Sequence, residues 1–231
     1  MSGSRPAKRS SVTTPRPLSR ANTFALLERL ASDTPEPVTE LHHTNAYTLL
    51  VAVALSAQAT DKGVNRATAG LFADVDSPGA MLALGEAGLR ERISSIGLFN
   101  QKAKNAIAAA RLLIERHGGQ VPRDREALQA LPGVGRKTAN VVLNCWWGEE
   151  RFAVDTHVFR VANRTRLAPG RTVELVEAGL EARVPAPFRR DAHHWLILHG
   201  RYVCKARTPE CWRCPVADLC PYTPKTPPPD N

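Results

Sequence analysis

The sequence predicts an all-α fold, and three observations predict it. Apolar residues recur at spacings of three and four from Arg20 onward, no stretch alternates with period two between turn signals, and cap and stop residues recur at helix lengths. About ten short helices are expected on this pattern.

In chain order, residues 1–19 form a basic arm with Arg5, Lys8, Arg9 and Arg16, no acid and several Ser/Thr and Pro; such a segment cannot bury enough apolar surface to order itself. Tyr47–Ala57 is apolar all round, as a central buried helix must be. Ser77 followed by Pro78 supplies a cap and a proline at the first helical position. Gly97 is expected to stop one helix, and Gly118–Gly119 the next. Between those stops Ala103, Ile107, Ala110 and Ile114 line one helical face, and later Val173, Val176 and Leu180 line another. Residues 223–231, with Pro227–Pro229, are expected to be a flexible tail.

A chain of 231 residues, 43% hydrophobic, is long enough for one large or two small domains. Its longest apolar run, near Leu49–Ala57, is too short to cross a bilayer, so no membrane partner is expected. The first twenty residues lack the apolar stretch of an export signal, which points to the cytoplasm. A formal charge of +9 favours phosphates as partners.

The most informative run is Leu131-Pro132-Gly133-Val134-Gly135-Arg136-Lys137-Thr138-Ala139-Asn140-Val141-Val142-Leu143. Pro132 disfavours helix at Leu131, the glycines permit angles closed to other residues, and a second helix begins at once. The result is helix, tight hairpin, helix. Its successive N–H groups, ending at a helix N-terminus, make an anion-binding concavity from Gly133, Val134, Gly135 and Arg136. Such a grip acts on phosphate and carries no sequence preference. A nucleotide-binding P-loop is disfavoured, because it needs Gly-Lys-[Ser/Thr] after a strand and here Arg136 intervenes.

Lys137 stands in the first turn of the second helix, where the dipole disfavours a cation. Arginine outnumbers lysine 24 to 7 in this chain, so a lysine here invites a role arginine cannot fill, that of an amine nucleophile. An unshifted lysine is only about 0.04% neutral at pH 7, and the helix end supplies less than about one pKa unit of help. Downstream, Asp155 follows three apolar residues and precedes a helical run; the position reads as an N-cap that can also face a cleft.

Cys204, Cys211, Cys214 and Cys220 fall within 17 residues with spacing x6, x2 and x5. Four thiolates suit either tetrahedral zinc or an iron–sulfur cluster, and spacing alone leaves both open. Lys205, Arg207 and Arg213 in the same loop offer cations to a phosphate backbone. Cys145 stands apart and reads as a buried helix residue.

From about Arg20 to about Tyr222 the chain resembles the endonuclease III family of helix-hairpin-helix DNA glycosylases. The resemblance rests on Leu55–Asp61, the hairpin, Val154–His157, the run His193–Tyr202 and the cysteine loop. It implies two helical domains with the active site in the cleft between them. Residues 39–149 would be a helical barrel carrying the helix-hairpin-helix at 124–147, and residues 20–38 with 150–222 a cluster domain. It implies Lys137 as Schiff-base nucleophile and Asp155 as catalytic carboxylate, with Gln58, Leu98 and His157 filling the gap left by an extruded nucleotide. The four cysteines would ligate a [4Fe-4S] cluster, which decides for iron over zinc. The implied activity is removal of oxidised pyrimidines from double-stranded DNA and β-elimination at abasic sites, by a monomeric bacterial enzyme.

The related adenine-mismatch glycosylases share hairpin and cluster, but they lack the nucleophilic lysine and carry a glutamate in the early catalytic helix, whereas Leu55–Asp61 has none. A non-catalytic hairpin module would need no nucleophile, and an iron–sulfur electron carrier would need neither hairpin nor lysine.

Overall fold

The computed structural model describes residues 15–229. Eleven α-helices and two short 3-10 turns make up the regular structure, with no strand among the described residues. They are α1 (Arg20–Asp33), α2 (Ala46–Leu55), α3 (Asp61–Thr68), α4 (Leu71–Asp74), α5 (Pro78–Arg92), α6 (Phe99–His117), α7 (Arg125–Gln129), α8 (Arg136–Trp147), α9 (Thr156–Thr165), α10 (Val173–Arg183) and α11 (Ala192–Tyr202). No helix among the described residues is long and apolar enough to cross a membrane.

Two apolar cores organise these helices. The first is built around α2, whose residues from Tyr47 to Val53 and Leu55 are buried by the helices from α3 to α8. A capping box starts α2: Asn45 Oδ1 accepts from Thr48 N–H (2.9 Å), and Thr48 Oγ1 accepts from Asn45 N–H (3.0 Å). Each fully buried Leu or Val there contributes roughly 1.5–3 kcal/mol through removal from water. The second core joins Leu26, Leu27 and Leu30 of α1 to the inner faces of α9, α10 and α11. The chain therefore begins in one core, crosses to the other for α2 to α8, and returns through residues 148–155. Trp195 of α11 fastens the first crossing by donating Nε1–H to Thr34 O (2.8 Å).

Local signals land where side-chain chemistry fixes them. Ser77 Oγ caps α5 by accepting from Ala80 N–H (3.3 Å). Gly118 and Gly119 take φ of 58° and 79°, and Gly119 N–H closes α6 on Leu113 O (2.9 Å). Three expectations need correction. Gly97 does not stop a helix: α5 ends at Arg92, because Ile93 and Ile96 turn into the core, and Gly97 sits in the turn leading to α6. Ile114 and Val173, placed on apolar faces by their spacing, are 42% and 43% exposed. Both lie at helix ends, where the periodic stripe runs past the core it faces. Cys145 is half-buried rather than enclosed.

Of the basic arm at 1–19, residues 1–14 lie outside the described residues. At its inner end Leu18 N–H donates to Arg166 O (2.9 Å), Leu18 O accepts from Arg183, and Ser19 caps α1. In the C-terminal segment, Lys225 Nζ donates to Cys220 O (2.6 Å).

Candidate active site and cysteine loop

The hairpin expected between Leu131 and Arg136 is a tight turn. Val134 N–H donates to Leu131 O (3.1 Å), and both side chains are buried beneath the turn. Gly133 takes φ of 79°, and a Cβ there would stand 3.0 Å from Asn105 Cβ, so glycine is required twice over. Gly135 is the N-cap of α8 and offers no side-chain cap; no acid stands in the first turn. The N-terminal N–H groups of α8 thus remain open to an anion at the protein surface.

Lys137, two residues after that cap, is exposed. It lines an open cleft of about 760 Å³ with Ser56, Asp61, Asp155, His157 and Arg201. One wall comes from the α2–α3 turn and α8, the other from α9, α11 and the segment before α10, so the cleft runs between the two cores. Asp155 is half-buried as the N-cap of α9, with Oδ1 accepting from both His157 N–H and Val158 N–H (2.8 Å each). Because both cap bonds fall on Oδ1, the cap leaves Oδ2 to other work. The helix-cap and cleft-facing readings of Asp155 are therefore compatible.

A second, narrower pocket of about 80 Å³ extends from the same lysine and aspartate past Thr39, Glu40, Cys145, His193, His194 and Ile197. Burial pushes the Cys145 thiol up to about 12, and its Sγ lies 3.4 Å from His194 Nε2. His193 is enclosed; burial, then the nearby positive charge of His194 and of Lys137, pushes its pKa down to about 3.

Gln58 and Leu98 are non-glycine residues at positive φ (55° and 59°), a conformation costing on the order of 1–3 kcal/mol each. Leu98 is 58% exposed, and Gln58 is exposed too. Their turns are neighbours: a Cβ on Gly97 would stand 3.9 Å from Gln58 O. His157 sits across the cleft, with Nδ1 accepting from Arg160 Nη2 (3.2 Å). Gly200 makes this approach possible, since a Cβ there would lie 2.8 Å from His157 Cβ.

Arg136 points away from the cleft. Its Nε donates to both carboxylate oxygens of Glu177 (3.1 and 3.0 Å) and its Nη2 to Oε1 (2.9 Å), which raises the guanidinium pKa further. Sequence reasoning missed Glu177, which looks like any other acid in an amphipathic helix. It also missed the bridge in which Arg201 Nη1 meets Asp61 Oδ2 (2.7 Å) and Glu40, while the Tyr202 hydroxyl donates to Glu40. Asp61 closes the Leu55–Asp61 segment of the resemblance and stands in the first turn of α3 as a dipole-favoured acid, but neither signal marks it as a partner of Arg201.

Cys204, Cys211, Cys214 and Cys220 line one pocket, half-buried, with no disulfide among them. Burial pushes the Cys214 thiol up to about 11, and the charges of Cys220, Cys204 and Cys211 add to the rise. Four half-buried sulfurs lining one pocket, with no disulfide among them, are a donor set suited to a bound cationic metal group. Arg164, another residue without a sequence signal, braces the loop. It donates to Lys205 O (2.6 Å), Ala206 O (2.7 Å) and Cys204 Sγ (3.6 Å), and lies 4.6 Å over the Tyr222 ring. Lys205 and Arg213 both pair with Glu210, whereas Arg207 is exposed.

Comparison with known proteins matches residues 51–186 to the HhH-GPD superfamily base excision DNA repair proteins. Residues 204–220 match the iron-sulfur binding domain of endonuclease III. Endonuclease III of Escherichia coli K12 is 55% identical over 208 residues, covering 90% of this chain and 99% of that one. Endonuclease III of Rickettsia conorii is 57% identical, covering 85% and 94%. Among solved structures, a trapped endonuclease III–DNA covalent intermediate superposes with TM-score 0.83 at 41% identity, covering 88% of this chain and 96% of that one. A thermostable thymine-DNA glycosylase follows at TM-score 0.77 and 27% identity, covering 87% and 96%. On this identity and coverage the chain belongs to the HhH-GPD superfamily of base excision DNA repair proteins and, within it, to the endonuclease III family.

Proposed function

We propose that the protein removes oxidised pyrimidines from double-stranded DNA and then cuts the strand, with Lys137 as the nucleophile of both steps. The observation that carries the reading is the place of Lys137. It is an exposed amine at a helix N-terminus, opening on a cleft it shares with a carboxylate only half occupied by capping.

The hairpin N–H groups of Gly133, Gly135 and Arg136 hold a backbone phosphate, with Val134 keeping the turn closed through its own N–H on Leu131 O, while the nucleotide turns out of the stack into the cleft. Gln58, Leu98 and His157 occupy the space it leaves. A damaged base, weakly stacked or paired, is the least costly to extrude. Neutral Lys137 attacks C1′; the C1′–N bond breaks, its electron pair leaves with the base, and a proton completes the free base. Opening of the sugar ring gives a protonated imine between Nζ and C1′. The imine acidifies C2′; loss of a C2′ proton expels the 3′ phosphate by β-elimination. Asp155, through the oxygen its cap leaves over, stabilises the positive charge that develops at the sugar and relays protons.

Cys204, Cys211, Cys214 and Cys220 hold a [4Fe-4S] cluster, which supplies a rigid centre for its loop. That loop aims Arg207 at phosphates flanking the lesion, and Lys205 where it exchanges Glu210 for a phosphate. The first core, residues 39–149 with the helix-hairpin-helix at 124–147, is one domain; residues 20–38 with 150–222 are the other. We place the working form as a monomer in the bacterial cytoplasm, acting on chromosomal or abasic DNA.

The test is incision of a duplex carrying one oxidised pyrimidine. Wild type is expected to release the base and leave an unsaturated sugar on the 3′ end; Lys137→Gln is expected to do neither. Incision by Lys137→Gln at the wild-type rate would overturn the reading.

A further inference from the structure

An arginine at the first position of α8 is a poor choice for a helix whose N-terminus is already positive. Glu177 accounts for it. This carboxylate comes from α10 in the second core, with 4% of its side chain exposed, and takes three hydrogen bonds from Arg136. One turn further along α8, Asn140 Nδ2 donates to the same Glu177 Oε1 (3.0 Å) and to the backbone oxygen of Phe152 (3.0 Å). Phe152 opens the buried run Phe152-Ala153-Val154 that delivers Asp155. A single buried carboxylate therefore ties together α10, the turn of α8 that bears Lys137, and the segment that ends at Asp155.

The energetics point to placement rather than stability. Burying a carboxylate is costly, and even a bidentate arginine with an added amide roughly offsets that cost against well-packed apolar residues. What the arrangement supplies is direction. Arg136 and Asn140, four residues apart, share the face of α8 turned toward α10. Lys137, about 100° round the helix from Arg136, is thereby turned to the cleft. The same contact engages the Arg136 guanidinium with Glu177, although about half of that side chain stays exposed.

We propose that Glu177 is a positioning residue for the reaction. By holding Arg136 and Asn140 it sets the separation of Lys137 from Asp155 across the cleft. The inference rests on the reading of those two residues given above.

The experiment is single-turnover borohydride trapping on a saturating duplex that bears an abasic site. DNA affinity is measured separately by fluorescence anisotropy, and folding by thermal melting. Glu177→Ala is expected to lower the trapping rate about tenfold or more, with affinity changed less than about threefold, because a small misplacement of reacting groups costs rate rather than binding. Glu177→Gln keeps one carbonyl oxygen that can still accept from Arg136 Nη2 and Asn140 Nδ2 but loses the second acceptor and the charge, and is expected to recover part of the rate. The double variant Arg136→Met with Glu177→Met keeps the buried volume and the fold, and is expected to remain slow. A folded double variant that traps at the wild-type rate would overturn the proposal. So would a loss confined to DNA affinity, with the saturated rate unchanged. A wild-type protein that never traps strikes the Lys137 reading itself, whereas trapping that ignores Glu177 strikes this inference alone.

Discussion

The hairpin and the cysteine loop stand on opposite cores, and different forces hold them. The hairpin rests on buried Leu131 and Val134, on the ladder of α8 and on the Arg136–Glu177 contact. The groups proposed to act there, open N–H donors and the amine of Lys137, ride on a scaffold that is complete without them. In the loop the order is reversed. Residues 204–220 contain one short 3-10 turn, Cys211–Arg213, and the cysteine side chains themselves converge to form the centre. On the proposed ligand assignment, the functional group there would be the scaffold. Damage to the first region should therefore stop chemistry and spare structure, and damage to the second should do the opposite.

The largest expected effect lies on the catalytic side. Asp155→Asn keeps an oxygen to cap α9 but removes the charge, so turnover on damaged DNA should fall about 10²–10⁴-fold while the melting temperature and DNA affinity hold. Unchanged turnover would reduce Asp155 to a cap. On the loop side, Cys214→Ser should lower iron content well below about four atoms per chain and the melting temperature with it. Full iron loading of that variant would contradict the ligand assignment and collapse the contrast between the two regions.

The smallest effect concerns His193, in the wall of the narrow pocket. An unfolded histidine takes up a proton below about pH 6.5, while folded His193 stays neutral down to about 3. Between those limits the unfolded chain binds more protons, so stability falls as pH falls, by about 1.4 kcal/mol per unit at most. His193→Gln should flatten the decline of melting temperature between pH 6 and 4. An unchanged slope would mean that His193 is not the group whose burial opposes acid.

Much of this was legible because it is local. Ser77 before Pro78, the glycines after α6 and Asp155 before Thr156 each settle a backbone need with their own side chain or lack of one, and such chemistry is written in adjacent residues. The hairpin was legible for the same reason, and the cysteine spacing was distinctive. Contacts between the cores were not. Asp61 and Arg201 lie 140 positions apart, and Arg136 and Glu177 lie 41 apart. An acid inside α10 carries no mark that it will be buried against the other core. Periodicity also overreached at Ile114 and Val173, since a stripe records which face is apolar but not where the facing core stops.

The central claim is that one amine carries both base removal and strand cleavage. Trapping wild-type protein with borohydride on abasic duplex DNA, followed by digestion and mass spectrometry of the cross-linked peptide, tests it most directly. The account predicts a single sugar adduct on Lys137, lost in Lys137→Gln. An adduct on any other lysine, or an undiminished cross-link in Lys137→Gln, would contradict it.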